Sequence, residues 1–585
     1  MTRMILMSLL IFVTGCDSGV NSQSGLPHGI VADIIFTNGK IITVDPDDSI
    51  VAALAIRDGR IIALGSDADI AALADDATLL IDLQGYTATP GLIDSHNHFA
   101  DGLVTEMVNA DVSYPAVRNI ADVVQVVDRR VADTPAGEWV QGVGWDEGKL
   151  LEQRYIEAAD LDAVSPDNPV WLMHTMGHYG VANSAAMKLA NITAETPEVP
   201  GGRIERDANG TPTGVLKEAA MGLVLEILPD FTSEQRDAAI EAGARAMNAE
   251  GITAVKDPGI GLKQWESYQR VHARDALSVR VFVLWLSPDN FEDAEALVRR
   301  VQPFTRPYES SGDDQLISGG IKIFADGSGG ARTAWMHEDW NKEFDRTDTD
   351  NKGFPALPVD VLERQINLYH DAGLHIGVHA IGDRAIDFVV DTYATMLEKT
   401  PTKGLRHSLI HCNIPTDHAL DVMARLQRDY DAAYPEIQST FTWWIGDTYA
   451  GNFGPERGQS LKPLASFVER GIRFGGGSDY SVTPYAPRYG LWSSIMRETL
   501  NGTYGKQPFG TDEAIDIRTA LKSYTIWNAP QLFLEEQIGS LEVGKYADLV
   551  VWDTDLYTAS PEAIKEMRAL MTVIQGETVY RADEF

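Results

Sequence analysis

Histidine and aspartate residues close several short apolar runs of this chain, and side chains of these types bind metal ions. The first run, PGLIDSHNH from Pro90 to His98, places His96 and His98 two residues apart. In an extended strand, residues i and i+2 project to the same face, so both imidazoles can hold one ion. A His-x-His pair alone is a weak signal, because a polar strand end that faces solvent has the same pattern.

Three later runs have the same kind of ending. His379 is the last polar residue of LHIGVHA, His411 of HSLIHC, and Asp479 of IRFGGGSD. Imidazole and carboxylate ligands suit a borderline divalent ion such as zinc. Together with His96 and His98, they predict a centre of one or two divalent metal ions. The alternative is a set of unconnected polar residues at strand ends.

Lys322 lies in the middle of another apolar run, GGIKIFAD. A lysine at this position would project into the protein interior, which is costly without a partner. In one interpretation its amine has captured carbon dioxide, and the resulting carbamate bridges two metal ions. In the alternative it is an ammonium group paired with Asp326 or Asp479. We favour the carbamate.

The elements that position these residues are eight strand-like apolar runs, several of them followed by helix-length amphipathic stretches. This alternation predicts a parallel (β/α)8 TIM barrel, an α/β fold, over residues 91–109 and 234–530. In such barrels, catalytic residues lie at the carboxyl ends of the strands. The interval 110–233 is too long for one crossover and predicts an inserted α/β subdomain over the barrel mouth. The runs are GLIDSHNH, ITAVKD, VRVFVLW, GGIKIFAD, LHIGVHA, HSLIHC, PEIQST and IRFGGGSD.

Short β-like runs with turn signals occur at both ends of the chain. Asn38-Gly39 and Asp58-Gly59 indicate hairpin turns in the N-terminal segment. The C-terminal segment has the same character, with ADLVVWD and MTVIQGETVYR. We therefore expect one small β-sandwich domain built from residues 32–90 and 531–585.

The composition excludes several classes of protein and partner. The chain has 585 residues, of which 44% are hydrophobic and 23% charged, as in ordinary globular proteins and unlike disordered or coiled-coil chains. Its net charge of −37 disfavours nucleic acid as a partner. Two cysteines, Cys16 and Cys412, cannot form a disulfide framework. A homo-oligomer is compatible with this composition.

Residues 1–16 have the pattern of a bacterial lipoprotein signal. Arg3 precedes an apolar run that is too short to span a bilayer, and Val13-Thr14-Gly15-Cys16 resembles a lipobox. This predicts lipidation of Cys16, a tether over residues 17–31, and attachment to a membrane of the bacterial cell envelope, facing the periplasm or the exterior. The alternative is an ordinary signal peptide with a chance cysteine.

From about Ala32 to Tyr580, the chain resembles the metal-dependent amidohydrolase superfamily. The matching elements are PGLIDSHNH, IKIFADGSGGARTA, HAIGDRA, RHSLIHC, GGSD and GSLEVGKYADLVVWD. HAIGDRA and IKIFADGSGGARTA are similar to the subgroup that contains N-substituted formamide deformylases and exoenzyme-regulatory-like proteins. The resemblance implies the following metal-centre set: His96, His98, Lys322, His379, His411 and Asp479.

The same resemblance suggests a role for His178. The subgroup has a Gly-His pair followed shortly by Asn-Ser, and MGHYGVANSAAM supplies both elements here. This implies that His178 polarises the substrate, and the alternative is a structural histidine of the insertion. Trp145, Trp335, Trp443 and Trp444 either form an aromatic pocket near the mouth or pack in cores.

The resemblance implies a small-molecule substrate and, as the activity, hydrolysis of a C–N bond of a small, apolar or aromatic amide, formamide or cyclic amide. Zinc would lower the pKa of a water molecule, and Asp479 would take its proton and pass it to the leaving nitrogen. Other members of the superfamily hydrolyse esters or deaminate heterocycles, and both activities are alternatives. A lipoprotein that keeps the fold and only binds a ligand is the alternative outside enzymes.

Overall fold

The computed structural model describes residues 30–307, 312–340, 350–502 and 510–585. Cys16 and the predicted signal segment lie outside the described residues. Within these ranges, no helix combines the length and the apolar character that crossing a lipid bilayer requires.

The N-terminal part of the described chain forms short strands that are divided between two sheets. Asp58-Gly59 makes the predicted hairpin turn, and both residues have the positive φ (51° and 74°) that type I′ turns need. The hairpin prediction for Asn38-Gly39 was wrong, because the two strands that flank this turn pair in different sheets. The elements are β1 (Ile34–Thr37), β2 (Lys40–Ile42), β3 (Ile50–Val51), β4 (Ala53–Arg57), β5 (Arg60–Gly65), α1 (Asp67–Ala71), β6 (Leu79–Asp82) and β7 (Thr87–Pro90).

The first barrel strand is followed by a helix and then by an inserted α/β unit with its own core. Its six strands form one mixed sheet in the order β13-β14-β12-β11-β10-β9, and Trp145, Leu172 and Val181 are fully buried against its helices. The elements are β8 (Leu92–Asp94), α2 (Phe99–Val108), β9 (Ala110–Asp111), α3 (Ile120–Ala132), β10 (Val140–Trp145), α4 (Ala158–Leu161), β11 (Val170–His174), β12 (Tyr179–Ala182), α5 (Ser184–Leu189), β13 (Gly202–Arg206), β14 (Pro212–Glu218) and α6 (Gly222–Leu225).

All eight predicted runs form parallel strands of one sheet, in the order β21-β20-β19-β18-β17-β16-β15-β8. Helices connect them, as the alternating pattern predicts. The elements are α7 (Ser233–Asn248), β15 (Ile252–Ile260), α8 (Leu262–His272), β16 (Arg280–Leu286), α9 (Phe291–Val301), β17 (Leu316–Phe324), α10 (Val359–Asp371), β18 (His375–Ala380), α11 (Asp383–Lys399), β19 (Ser408–His411), α12 (Asp417–Tyr430), β20 (Tyr434–Ile437), α13 (Thr440–Trp444), α14 (Gly446–Phe453), α15 (Leu464–Glu469) and β21 (Gly475–Gly476).

Backbone hydrogen bonds between the first and last strands close the barrel. Ser95 N donates to Gly476 O at 3.0 Å, and Asp479 N donates to His96 O at 2.7 Å. The closure therefore brings the two ends of the barrel sequence, with their predicted metal ligands, directly beside each other.

The barrel helices follow simple sequence rules. In α11, Ile386, Val389, Val390 and Tyr393 recur at helical spacing and are all buried, so one apolar stripe faces the strands. At the start of α7, the Thr232 hydroxyl accepts a hydrogen bond from Gln235 N, as an N-cap residue does. The amphipathic periodicity explains how α11 packs against the strands, and the cap fixes where α7 begins.

The C-terminal strands complete a sheet that the N-terminal strands begin. This six-stranded sheet has the order β24-β23-β22-β7-β2-β3, and a second sheet has the order β5-β4-β1-β6. Phe36 and Leu54 of the second sheet share an apolar cluster with Val551 and Met571 of the first. The remaining elements are α16 (Pro487–Met496), α17 (Ile517–Ser523), β22 (Leu549–Trp552), α18 (Pro561–Glu566), β23 (Ala569–Ile574) and β24 (Glu577–Arg581). The predicted fold class is confirmed: a TIM barrel, a two-ended β-sandwich and an α/β insertion after the first barrel strand.

A buried ion pair joins the barrel to the sandwich. Arg280, the first residue of β16, donates from Nε to Asp548 Oδ2 at 2.9 Å and from Nη2 to Asp548 Oδ1 at 3.2 Å. Asp548 also accepts a hydrogen bond from Gln575 N at 2.8 Å. Both charged side chains are almost fully buried.

Candidate metal centre and active site

The predicted metal-binding residues lie at the carboxyl ends of the barrel strands. His96 and His98 follow β8, His379 lies in β18, His411 ends β19, and Asp479 follows β21. All except His98, whose side chain is 35% exposed, are buried. The strand order brings residues from distant parts of the sequence into one polar cluster at the barrel mouth.

The tightest group consists of two histidines and one carboxylate. Asp479 Oδ1 is 3.2 Å from His96 Nε2 and 3.3 Å from His98 Nε2. The ligand atoms of these three residues all lie within 4.8 Å of one another, so one ion can contact all three. His96 Nε2 and Asp479 Oδ1 are buried and have no properly oriented hydrogen-bond partner. Buried polar atoms without partners are unfavourable, and a bound cation would satisfy both.

His379 and His411 lie next to this group and complete a cluster of imidazoles. Their ring centroids are 4.6 Å apart, and the His411 centroid is 5.1 Å from that of His96. His411 Nδ1 is 4.0 Å from Asp479 Oδ2. The structure therefore brings the four predicted histidine ligands and Asp479 together, with His379 and His411 outside the tightest group.

Hydrogen bonds leave one nitrogen of each of these two rings free for a metal. His379 Nε2 donates to Gly327 O at 3.0 Å, and its Nδ1 is buried without a partner. His411 Nδ1 donates to Gln438 Oε1 at 2.8 Å, which leaves Nε2. Metal-binding histidines have this arrangement, because the second nitrogen fixes the tautomer and the ring orientation.

Sequence reasoning missed Glu436 beneath the cluster. Its Oε2 is 3.5 Å from His96 Nδ1, and its Oε1 is 2.6 Å from Lys256 Nζ, which also contacts His375 Nε2 at 3.0 Å. Burial would raise the pKa of Glu436, but Lys256 and His96 hold it well below its usual value. Glu436 and Gln438 lie two residues apart in the run PEIQST, and polar residues inside a barrel strand were the available signal.

Lys322 lies within the barrel, and its side chain is buried. Its Nζ is 4.7 Å from the centroid of the Phe324 ring, and burial lowers the pKa of the amine to about 8. In the described chain, Lys322 forms no ion pair with Asp326 or Asp479. The Asp326 carboxylate instead accepts backbone hydrogen bonds from Ile381, Gly382 and Trp335.

His178 reaches the metal cluster from the inserted sheet. It lies in the turn between β11 and β12, and its ring centroid is 5.3 Å from that of His379. His178 Nδ1 is 2.8 Å from Glu218 Oε2. Burial would lower the pKa of His178, but the Glu218 carboxylate raises it above its usual value. The ring is thus a hydrogen-bond donor beside the cluster.

A cavity of about 560 Å³ opens above these residues, and His98, His178, Lys322, His411 and Asp479 line its polar part. Its apolar wall consists of Trp171, Met173, Leu225, Leu228, Pro229, Phe231 and Phe324.

A second cavity of about 400 Å³ adjoins the first along Val143, Thr175 and Ser481. Its aromatic residues are Tyr114, Trp444, Tyr480 and Tyr485. Trp145, Trp335 and Trp443 are buried in cores, and of the four tryptophans expected near the mouth Trp444 alone lines these two cavities.

Asp146, Glu147 and His174 form another compact polar group in the insertion. His174 Nδ1 accepts a hydrogen bond from Met176 N at 3.1 Å, so its proton is on Nε2. That nitrogen lies 2.8 Å from the Tyr179 hydroxyl and 3.1 Å from Glu147 Oε2. The group is a hydrogen-bonded network without a free imidazole nitrogen for a metal.

Known proteins resemble the chain over nearly its whole length. A model of the Amidohydrolase family matches residues 79–580. An N-substituted formamide deformylase of Arthrobacter pascens is 30% identical over 560 residues, which cover 94% of this chain and 98% of that protein. A putative amidohydrolase of Bacillus subtilis, YtcJ, is 28% identical and covers 93% of this chain and 99% of its own.

A solved structure shares the fold. An uncharacterized metal-dependent hydrolase of Pyrococcus horikoshii aligns with a TM-score of 0.69 at 23% identity, over 90% of this chain and 99% of the other. The family model covers far more than half of the sequence, and its span includes the barrel, the insertion, β6 and β7 of the N-terminal segment, and the C-terminal strands β22, β23 and most of β24. The chain belongs to the Amidohydrolase family.

Proposed function

We propose that this protein hydrolyses a C–N bond of a small amide, formamide or cyclic amide with an apolar or aromatic substituent, using zinc. The observation that carries the proposal is the convergence of buried, unpartnered ligand atoms at the barrel mouth. His96 Nε2, His379 Nδ1 and Asp479 Oδ1 are all of this kind. Such atoms fit a metal centre better than any network internal to the protein.

The donor set suits zinc. His96, His98, His379 and His411 would supply nitrogen ligands, and Asp479 would supply oxygen, a combination that zinc accepts readily. When bound, the metal supplies Lewis-acid polarisation and lowers the pKa of water.

Asp479 is proposed as the general base. Burial would raise the pKa of its carboxyl group, but His96 and His98 hold it well below the usual value, so the group is ionised. An ionised carboxylate at the cavity accepts the proton of the attacking water and then passes it to the leaving nitrogen. His178, a hydrogen-bond donor on the facing wall, polarises the substrate carbonyl.

Lys322 is proposed as a carbamate. A pKa of about 8 leaves a substantial fraction of the amine neutral near pH 7.5, and only the neutral amine attacks carbon dioxide. The new C–N bond forms with loss of one proton and gives an anion. That anion would serve as a ligand bridging two ions, and a bare amine would be compatible with one ion.

The proposed substrate class follows from the walls of the two cavities. Apolar side chains from the insertion face the metal cluster, and aromatic rings line the adjoining cavity. Such walls favour an apolar or aromatic substituent over a highly charged one. The similarity to an N-substituted formamide deformylase supports a formamide as the first substrate to test.

The proposal is tested by metal analysis and a substrate panel on the purified protein without its first 29 residues. We expect bound zinc, turnover of at least one amide, formamide or cyclic amide, loss of turnover after a chelator, and recovery on adding zinc. If the protein turned over only esters, the assignment would change from amide hydrolysis to ester hydrolysis. If it turned over only heterocyclic amines, the assignment would change to deamination. Bound ligand without turnover of any substrate would favour a non-catalytic binding protein.

A further inference from the structure

Glu218 holds His178 although it lies 40 residues further along the chain. His178 Nδ1 donates to Glu218 Oε2 at 2.8 Å, and Glu218 N donates to His178 O at 2.9 Å. The antiparallel pairing of β12 with β14 makes the two residues neighbours, because Tyr179 pairs with Lys217. Glu218 therefore holds the imidazole of His178 through its side chain and the backbone of His178 through its own backbone.

The other carboxylate oxygen of Glu218 contacts the barrel. Glu218 Oε1 accepts a hydrogen bond from the Thr333 hydroxyl, which itself accepts one from Ser328 N at 2.9 Å. Gly327 leaves the space for this contact, because a Cβ atom at that position would overlap both the Thr333 hydroxyl and Glu218 Oε1. The carboxylate thus links the inserted sheet to the segment that follows barrel strand β17.

The backbone of Glu218 has an unfavourable conformation for a residue with a side chain. Its φ and ψ are 50° and −131°, a region that glycine adopts far more easily. Such conformations persist where surrounding contacts fix them, and they concentrate at functional sites. A glutamate at this position indicates that its carboxylate is needed there.

We infer that Glu218 is the positioning residue for His178, and that Thr333 in turn fixes Glu218. With Nδ1–H bound to the ionised Glu218 carboxylate, the doubly protonated ring presents Nε2–H as a second donor beside the cavity, and this nitrogen has no hydrogen-bond partner among the described residues. The inference rests on the proposed function, in which His178 polarises the substrate carbonyl. Glu218 acts through His178 and does not itself contact the substrate.

A double-mutant cycle in metal-loaded protein tests this inference. We expect Glu218→Gln to lower kcat about 10- to 100-fold with KM changed less than about threefold, the range for losing a residue that orients a catalytic side chain. In a His178→Phe background, Glu218→Gln should lower kcat no further, because the two residues act as one unit. An equal loss in both backgrounds would overturn the inference, since it would show an effect independent of the imidazole.

Two further variants separate positioning from folding. Thr333→Val removes the supporting hydroxyl with little change of shape, and its loss of kcat should also vanish in the His178→Phe background. Glu205→Gln is the matched control, because Glu205 lies in the same inserted sheet and binds Lys217 at 2.8 Å without contacting His178. It should keep the wild-type kcat, and a loss equal to that of Glu218→Gln would contradict a specific role.

A binding measurement keeps the inference testable if the wild-type protein turns over no substrate, which would be a failure of the proposed function. The probe is methylphosphonate, a small tetrahedral oxyanion, titrated calorimetrically into the zinc-loaded proteins of the same cycle. Glu218→Gln should weaken its binding by about tenfold when His178 is present and not at all with His178→Phe. Equal affinities in all four proteins, or a lower zinc content in Glu218→Gln, would overturn the assignment.

Discussion

A single substitution can separate the two proposed roles of Asp479, metal ligand and general base. Asp479→Asn keeps the shape of the side chain and an oxygen near His96 and His98, but it removes the basicity. We expect zinc content to fall only modestly and the chemical step to slow by about 10²–10⁴-fold, as on losing a general base. Zinc analysis and single-turnover kinetics measure the two effects. Unchanged turnover per bound zinc ion, with loss of zinc, would make Asp479 a ligand only and His178 the first candidate for proton transfer.

Lys322→Ala tests the proposed carbamate. The variant should lose activity, because alanine has no amine that can form a carbamate at this position. Short carboxylic acids such as propionate should restore part of the activity by placing a carboxylate in the space left by the side chain. Lys322→Met, which fills that space, should not respond to propionate. A high-resolution map of the metal-loaded protein that shows a bare amine would contradict the carbamate.

The sequence predicts the residues at strand ends better than the residues that orient them. His379 and His411 were identified because each closes an apolar run. Glu218 and Gly327 were not, because each acts through contacts between elements far apart in the sequence, and no local pattern marks such a contact. Glu436 was missed but could have been predicted. It lies in a predicted barrel strand, where a charged side chain needs a partner, as was argued for Lys322.

At the scale of elements, the segment after β17 connects two parts of the site. Gly327 O accepts the hydrogen bond from His379 Nε2, and the same residue makes room for the Thr333–Glu218 contact. Gly327→Ala should therefore displace this segment and weaken zinc binding by about 10- to 100-fold, in addition to lowering kcat. Competition with a chelating dye measures the affinity.

Gly222→Ala is the matched control for this substitution. Gly222 begins a short helix, and the nearest atom to an added Cβ is 3.9 Å away. Its zinc affinity should equal that of the wild-type protein. Unchanged zinc affinity in Gly327→Ala as well would show that the segment does not orient His379.

The barrel strands were predictable and the inserted sheet was not, for a physical reason. Strands that are buried on both faces have nearly continuous apolar sequences, and β16 (RVFVLWL) and β17 (LISGGIKIF) are of this kind. The strands of the insertion run in mixed directions: β10 is parallel to β11, whereas β12 is antiparallel to β14. Their position depends on pairing across long sequence separations, so the sequence indicated an α/β subdomain without its strand order.

At the scale of the whole molecule, the Arg280–Asp548 pair couples the barrel to the two-ended sandwich. Asp548→Ala removes the carboxylate that pairs with the buried guanidinium group of Arg280 and that accepts a hydrogen bond from the backbone N–H of Gln575. We expect a loss of about 3–5 kcal/mol in the free energy of unfolding, since removing one partner of a buried ion pair leaves an uncompensated charge. The midpoint of urea unfolding, followed by tryptophan fluorescence, measures the change.

Glu398→Ala provides the comparison at the surface. Glu398 pairs with Arg425 at 3.0 Å, and its side chain is 59% exposed. Because solvent screens exposed pairs, the substitution should change the free energy of unfolding by about 0–1 kcal/mol. An equal effect of Asp548→Ala and Glu398→Ala would contradict the expectation that the buried Arg280–Asp548 pair matters more for stability than an exposed pair.

At the scale of the whole molecule, we propose that a lipid on Cys16 attaches the protein to a membrane of the cell envelope. A net charge of −37 would repel an anionic lipid surface, so a covalent anchor is the attachment that this charge permits. Cys16→Ser should abolish labelling by a radioactive fatty acid in a bacterial host and leave the precursor uncleaved at this site. Cys412→Ser is the control, because Cys412 is buried in the barrel and should leave labelling unchanged. Labelling that persists in Cys16→Ser would refute the anchor and return the segment to the alternative of an ordinary signal peptide.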